Sequence, residues 1–179
     1  AYALRDHQSL TVITNSVRVM DQICDVTRIT LISPGGTLAV ESSSSYGGDL
    51  SFVGPIAVST LRNFRVSKAF ISTSGLAVAD GISNASLFQA EIKRTLIEIA
   101  DQVILITDNT KFGRVSGFVV ARAEAFHHVI TDVGAPAQEV ERLRRLGIKV
   151  TLVEPAPEVL LLRSPFASAP APPKASDPN

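Results

Sequence analysis

The chain of 179 residues and 19.0 kDa balances 17 Lys and Arg against 17 Asp and Glu, and 45% of it is hydrophobic. That length forms one domain with its own core, burying about 70% of its unfolded surface, and its neutrality argues against a phosphate-neutralising surface along the whole chain. No apolar run approaches the ~18–20 residues that cross a bilayer, no signal-peptide pattern opens the chain, and the single Cys24 excludes an intramolecular disulfide and a multi-cysteine zinc site. These features are those expected of a cytoplasmic α/β domain with no membrane partner. The chain opens at Ala1 without an initiator methionine and reads as a piece of a longer protein.

In chain order, residues 10–14 read as a first strand and 16–25 as a helix with Asn15 as its N-cap. Residues 29–33 form the second strand. A helix over 55–63 starts on Pro55, which suits the first helical position behind Gly54. Strands at 68–72 and 103–107 flank the longest helical pattern, 87–100, in which Leu87, Leu96, Ile97 and Ala100 can share a face. A strand over 128–131 comes next. Pro136 opens a last helix lined by Val140, Leu143 and Leu146 and closed by Gly147, before a strand over 150–153. The strand runs are nearly continuous apolar segments, the pattern of strands buried on both faces. Such strand–helix repetition predicts an α/β fold: a mostly parallel sheet with helices on both faces. From Pro155 onward lie 7 of the 10 prolines, a composition that resists helix and central strand alike. Residues 156–179 are therefore expected to form a Pro/Ala-rich tail, disordered over 164–179. Its apolar run Val159-Leu160-Leu161-Leu162 could dock on the body or on a partner.

In parallel sheets ligands bind beyond the carboxyl ends of the strands, and four polar clusters follow four of these strands. Thr14-Asn15-Ser16 offers hydroxyls and a helix N-terminus to an anion; the same tripeptide also suits an ordinary N-cap. Pro34-Gly35-Gly36-Thr37 lets the backbone approach a ligand, or simply turns. Ser72-Thr73-Ser74-Gly75, followed by Asp80-Gly81-Ile82-Ser83-Asn84, could ring a phosphate or sugar hydroxyls, or be a solvated loop. In Asp108-Asn109-Thr110-Lys111-Phe112-Gly113-Arg114, Asp108 can accept from sugar hydroxyls and Lys111 can reach a phosphate as a point charge. Glu91 and Lys93, two residues apart on a helix, do not face each other. Adjacent His127 and His128 would point to opposite faces of a strand and have no companion ligands at metal-binding spacing. Walker, GxGxxG and GxSxG motifs are absent. Arg142, Arg144 and Arg145, mixed with Glu139 and Glu141, read as a solvated helix face.

The order LTVITNS, GGTL, LSFVGPIA, KAFISTSGL, AEIKRTLIEIADQVILITDNTKFGR, VITDVGAP, LRRLGIKVTLVEP resembles the C-terminal effector domain of DeoR-family bacterial transcriptional regulators, from about Leu10 to Pro155. The resemblance implies a fold similar to ribose-5-phosphate isomerase and glucosamine-6-phosphate deaminase. It makes residues 1–155 an effector-binding domain of a regulator, probing for a phosphorylated sugar or related metabolite. A repressor's operator DNA would then be bound by a winged helix-turn-helix outside this chain. Carried over position by position, the effector site comprises Thr14, Asn15, Ser16, Gly35, Gly36, Ser74, Gly75, Lys93, Asp108, Lys111 and Phe112, with no cofactor and no metal. Amides and hydroxyls would cradle phosphate, Lys111 would neutralise it with Lys93 adding charge, Asp108 would read hydroxyls or an amine, and Phe112 would pack the loop.

Departures from the family pattern accompany the match. An Asp-x-Gly-Thr-Thr phosphate loop, which the family carries upstream of LTVxTNS, has no counterpart in this sequence. Gly75-Leu76-Ala77 stands where the family has Gly-Ile-Asp, Ala39 replaces an Arg, and the loop 41–49 is longer and more polar. Two alternatives stay open: a sugar-phosphate isomerase or deaminase, with Asp80 or Glu91 as its base, and an oligomerisation module with a degenerate pocket. A regulator that binds paired half-sites is expected to self-associate.

Overall fold

The computed structural model describes residues 1–41 and 49–154. The stretch 42–48 and the segment from Pro155, with the expected tail and the apolar run at 159–162, lie outside the described residues.

A 3-10 turn, Tyr2–Asp6, precedes β1 (Leu10–Ile13), and α1 (Val17–Ile23) carries the chain to β2 (Ile29–Ile32), which pairs with β1 in parallel. Arg5 in the first turn grips both carboxylate oxygens of Asp25, at 2.6 and 2.8 Å, and donates to the Gln22 carbonyl, tying the N-terminal segment to the end of α1. The cap of α1 is one residue later than expected. Ser16 Oγ accepts from the Val19 N–H at 3.4 Å, while Asn15 is drawn off to the Phe52 carbonyl, 3.1 Å from its Nδ2.

Next comes an antiparallel hairpin that the sequence reading lacked, β3 (Thr37–Glu41) on β4 (Asp49–Val53), followed by α2 (Pro55–Leu61) with Pro55 behind Gly54 as expected. β5 (Val66–Ile71) leads into two very short strands, β6 (Gly75–Ala77) and β7 (Gly81–Asn84), and then α3 (Leu87–Ile99). β8 (Ala100–Ile106) and β9 (Phe118–Ala121) precede β10 (His128–Asp132), α4 (Ala137–Arg145) and β11 (Lys149–Val153). β11, β10, β8 and β5 form one sheet in that order, every neighbour parallel; β6, β7 and β9 form a separate antiparallel sheet. All six expected strands are present, and with the parallel sheets and their helices they make the fold α/β.

The main core joins the two larger sheets. Ala69 and Ile71 of β5, Val103 and Leu105 of β8, and Val129 of β10 meet Leu76, Ile82 and Val120 of the antiparallel sheet, Ala90 of α3 and Leu143 of α4. A second cluster, Val53, Ala57, Leu61, Ile92 and Ile99, packs β4, α2 and α3 together, with Ile13 of β1 and Val66 of β5 against it. Among the six expected strands, burial on both faces holds only over residues 103–105 of β8; in β5 Phe70 is 57% exposed opposite buried Ala69 and Ile71, and at the end of β8 Ile106 is 46% exposed. The apolar face of α3 matches expectation in part: Leu96, Ile97 and Ala100 pack against the main core. Leu87 is exposed, whereas Ala90, Ile92, Thr95 and Ile99 are buried and Leu96 touches both clusters. In α4, Val140 and Leu143 are buried as expected, but Leu146 is exposed as the C-cap residue, and the chain turns away at Gly147, φ +80°. Its basic residues lie on the outer face in ion pairs, Arg142 with Glu139 at 2.7 Å and Arg145 with Glu141 at 3.6 Å.

Candidate functional site

The parallel registers of the main sheet align the carboxyl ends of β5, β8, β10 and β11, and β1 and β2 likewise end together. The loops after 14, 33, 72 and 107 issue from these ends. Strand–loop geometry leaves their backbone polar groups in need of partners, and those partners link the four clusters.

The first and second clusters meet on β4. The Phe52 N–H donates to the Asn15 carbonyl at 2.8 Å, Asn15 Nδ2 returns a bond to the Phe52 carbonyl, and Ser16 bridges Ser51. Thr14 Oγ1 accepts the Ser16 N–H at 3.2 Å. One residue further along β4, Gly36 is in close contact: a Cβ there would fall 2.7 Å from the Val53 carbonyl oxygen and 3.2 Å from Ala57 N, at φ +104°. Glycine is required at 36 by packing on the start of α2. Gly35, its N–H held by Ser33 Oγ at 3.2 Å, faces open space.

The third and fourth clusters meet on β6. The Gly113 N–H donates to the Leu76 carbonyl at 2.8 Å and Phe112 forms a parallel bridge with Leu76. A Cβ on Gly75 would run into the Arg114 carbonyl, and the Ser116 N–H bonds Ser83 Oγ at 2.8 Å. Phe112 packs against the main core. Buried Thr73 Oγ1 bonds the Gly75 and Ser83 carbonyls at 2.8 and 2.9 Å, and Ser74 Oγ bonds Asn84 Oδ1 at 2.5 Å.

The start of α3 joins the two pairs of clusters. Asn84 Oδ1 accepts the Ala85 N–H at 2.9 Å, Ser86 caps α3 by accepting from Gln89 N, and buried Gln89 reaches back with Nε2 to buried Ser51 Oγ at 2.5 Å. Lys93 lies one helical turn beyond Gln89, on the same side of α3. Ser51 and Gln89 were not candidates in the sequence, because what selects them is contact across 38 positions.

In the fourth loop Asp108 serves the backbone first: its Oδ1 accepts the Thr110 N–H at 2.9 Å and the Thr110 hydroxyl, capping the 3-10 turn Asn109–Lys111. Its Oδ2 is 3.9 Å from Lys111 Nζ, with the two side chains 54% and 33% exposed. A pair this exposed is worth about 0–1 kcal/mol, so Lys111 is available to an incoming anion. Asp132, at the end of β10, accepts from Asn109 N–H and Nδ2, both at 2.6 Å, and from the Gly134 N–H at 2.9 Å. These bonds, with the Asn109 side chain foremost, hold its carboxyl below the usual carboxylate range. The ionised acceptor, and the order it gives the loop, therefore persists from neutral pH downward and is lost only as acid protonates it. Asp132 escaped the sequence reading although a signal was present: Ile-Thr-Asp ends both β8 and β10, at 106–108 and 130–132.

Among the described residues no group of three or more His, Cys, Asp or Glu is placed to hold a metal ion. His127 Nδ1 accepts the Val103 N–H at 3.1 Å, and His128 Nε2 lies 2.8 Å from Thr151 Oγ1 with burial and then Lys149 pushing its pKa down. Two surface depressions lie elsewhere, one on the outer face of α4 between Glu141 and Arg145, the other between Arg5 and Arg28, and no candidate residue lines either. No helix among the described residues is long and apolar enough to cross a membrane.

Four strand-end loops fastened through β4, β6 and the start of α3 find a counterpart among known proteins. Residues 1–133, which hold all four loops, match the family described as the DeoR C terminal sensor domain. The chain belongs to the DeoR family. It is 36% identical over 144 residues to YulB, an uncharacterized HTH-type transcriptional regulator of Bacillus subtilis, covering 80% of this chain and 53% of that protein. With YgbI, an uncharacterized HTH-type transcriptional regulator of Escherichia coli, it shares 33% identity over 129 residues, 72% of this chain and 48% of YgbI. With AccR, a transcriptional repressor of Agrobacterium fabrum, it shares 30% over 135 residues, 75% of this chain and 50% of AccR. The chain thus spans about half the length of the curated relatives it matches. As a DeoR sensor domain it is a ligand-sensing domain of the kind found in transcriptional regulators.

Proposed function

We propose that this DeoR domain binds a phosphorylated sugar or related metabolite on its strand-end rim and thereby controls operator binding by a winged helix-turn-helix outside this chain, in a cytoplasmic, self-associating repressor without catalytic activity. The observation that carries the reading is the joining of all four polar clusters through Asn15–Phe52, Ser51–Gln89 and Leu76–Gly113. That joining supports a common rim of hydroxyls, amides and the Lys111 cation, the chemistry a sugar phosphate demands. Lys111 supplies the charge for the phosphate, and Thr14, Ser16 and Ser74 supply hydroxyls. Asp108, committed to Thr110 and Lys111, orders the loop and offers only its remaining lone pairs to sugar hydroxyls.

The placement of Asp80 counts against one of the two bases, Asp80 and Glu91, that an isomerase would use. Asp80 is exposed in the β6–β7 turn, at the end of the hairpin opposite the Gly75–Ser83 pair, away from the loops where substrate would lie.

A hydrogen bond to a charged group contributes about 1.5–3 kcal/mol, so Lys111→Ala is expected to weaken the tightest-binding sugar phosphate about 10- to 150-fold. Isothermal calorimetry at low ionic strength measures this. Unchanged affinity in the variant would remove Lys111, and with it the fourth loop, from the site.

A further inference from the structure

We infer that Asp132 is a positioning residue: it fixes the loop that carries Asp108 and Lys111, and so sets the place from which Lys111 meets an anion. The second half of that statement rests on the reading given under Proposed function.

Two carboxylates divide the first turn of the loop between them. Asp108, from β8, takes the Thr110 N–H, and Asp132, from the neighbouring strand β10, takes the Asn109 N–H. Asp132 also binds the Asn109 side chain and the Gly134 N–H, so both of its oxygens are occupied and its own orientation is set from two sides. The two strands are held in parallel register by Ile106 against Ile130, and the Thr107 N–H bonds the Ile130 carbonyl at 3.1 Å. This puts Asp132 opposite the loop's first residues. Charge-assisted bonds are about twice as strong as neutral ones, and here they act on a segment whose other anchors, Gly113 on Leu76 and Arg114 against Gly75, lie beyond Lys111. Lys111 is thereby fastened from both sides, upstream by Asp132 and downstream by β6.

Gly134 shows how little slack the clamp has. A Cβ at this position would stand 2.5 Å from Asn109 Nδ2 and 2.8 Å from Asp132 Oδ1. Gly134→Ala must therefore push on the same bonds from the opposite side, which gives a second, independent way to open the clamp.

The test uses amide hydrogen exchange and titration with inorganic phosphate, both followed by NMR, on the wild type, Asp132→Asn, Gly134→Ala, Lys111→Ala and the Asp132→Asn/Lys111→Ala pair. Asp132→Asn keeps the shape but turns an NH2 group toward donors. It is expected to raise Asn109 amide exchange tenfold or more while Leu105 exchange in β8 stays unchanged, with Gly134→Ala doing the same. Phosphate affinity read at residues 110–113 should fall about tenfold in Asp132→Asn, and the pair should lose little more than Lys111→Ala alone, because the clamp acts through that lysine. Wild-type exchange at Asn109 in both clamp variants would overturn the inference. So would a fully additive loss in the pair, since Asp132 would then act independently of Lys111. If the wild type shows no phosphate response at 110–113, the sugar-phosphate reading fails for this loop, and Asn109 exchange alone decides the clamp.

Discussion

Leu105→Ala is expected to lower the unfolding free energy by about 2–5 kcal/mol, the range for deleting a buried leucine side chain. Leu105 is 0% exposed near the end of β8, between Ile71 of β5 and Val129 of β10 in register, and it belongs to the cluster that joins the parallel sheet to the antiparallel one. With strands on both sides and two layers sharing the space, the neighbours have little freedom to collapse into the gap. Phe70→Ala is the matched control. Phe70 is 57% exposed on the opposite side of the sheet, and its removal should cost no more than about 0.5 kcal/mol. Urea unfolding followed by circular dichroism compares the two directly. Equal costs would contradict the assignment of the core to the Ala69–Ile71 side of the sheet.

Gly75→Ala is expected to destabilise the fold by about 1–3 kcal/mol and also to weaken effector binding. The added methyl would run into the Arg114 carbonyl and lie 3.1 Å from Ser83 Oγ. Backbone must therefore give way where the third and fourth clusters are fastened. Gly113→Ala, in the same joint, has a different cost. There φ is +72° and a Cβ meets nothing within 4 Å, so only the left-handed backbone is strained, at about 1–2 kcal/mol. The pair separates steric fastening from backbone strain. Chemical denaturation with sugar-phosphate titration of both variants measures it; binding that survives Gly75→Ala intact would show that the two clusters function independently.

The parallel strands were legible because each is a run of β-branched and aliphatic residues, such as ITLI in β2 and VILI in β8. The antiparallel strands were not. Gly75–Ala77 and Gly81–Asn84 are three and four residues long, with Gly, Ser and Asn among them, and they are strands only because partners satisfy their backbone and bury all but Ala77. The same asymmetry runs through the site. Strand-end positions mark Asn15, Ser74, Asp108 and Lys111 within a few residues of sequence, whereas Ser51 and Gln89 become visible only when distant segments meet. The misplaced cap of α1 is a local instance. Asn15 and Ser16 both suit an N-cap, and the decision falls to Phe52, whose carbonyl claims the Asn15 side chain. On α3 a helical pattern located the helix and, in Leu96, Ile97 and Ala100, part of its packed side, but the two clusters it serves also bury Ala90, Ile92 and Ile99 and leave Leu87 exposed.

The central claim, that the rim senses a phosphorylated sugar, is tested most directly by a thermal-shift panel of sugar phosphates, each paired with its free sugar and with inorganic phosphate. A ligand at 100 times its dissociation constant stabilises the fold by about 2.7 kcal/mol, a shift of several degrees for a chain of this size. The expected result is such a shift for at least one sugar phosphate, absent with its free sugar and cut to about half or less at the same concentration in Lys111→Ala. Equal shifts with the free sugar, no shift with any phosphorylated sugar at saturating concentration, or turnover of the stabilising compound would contradict it.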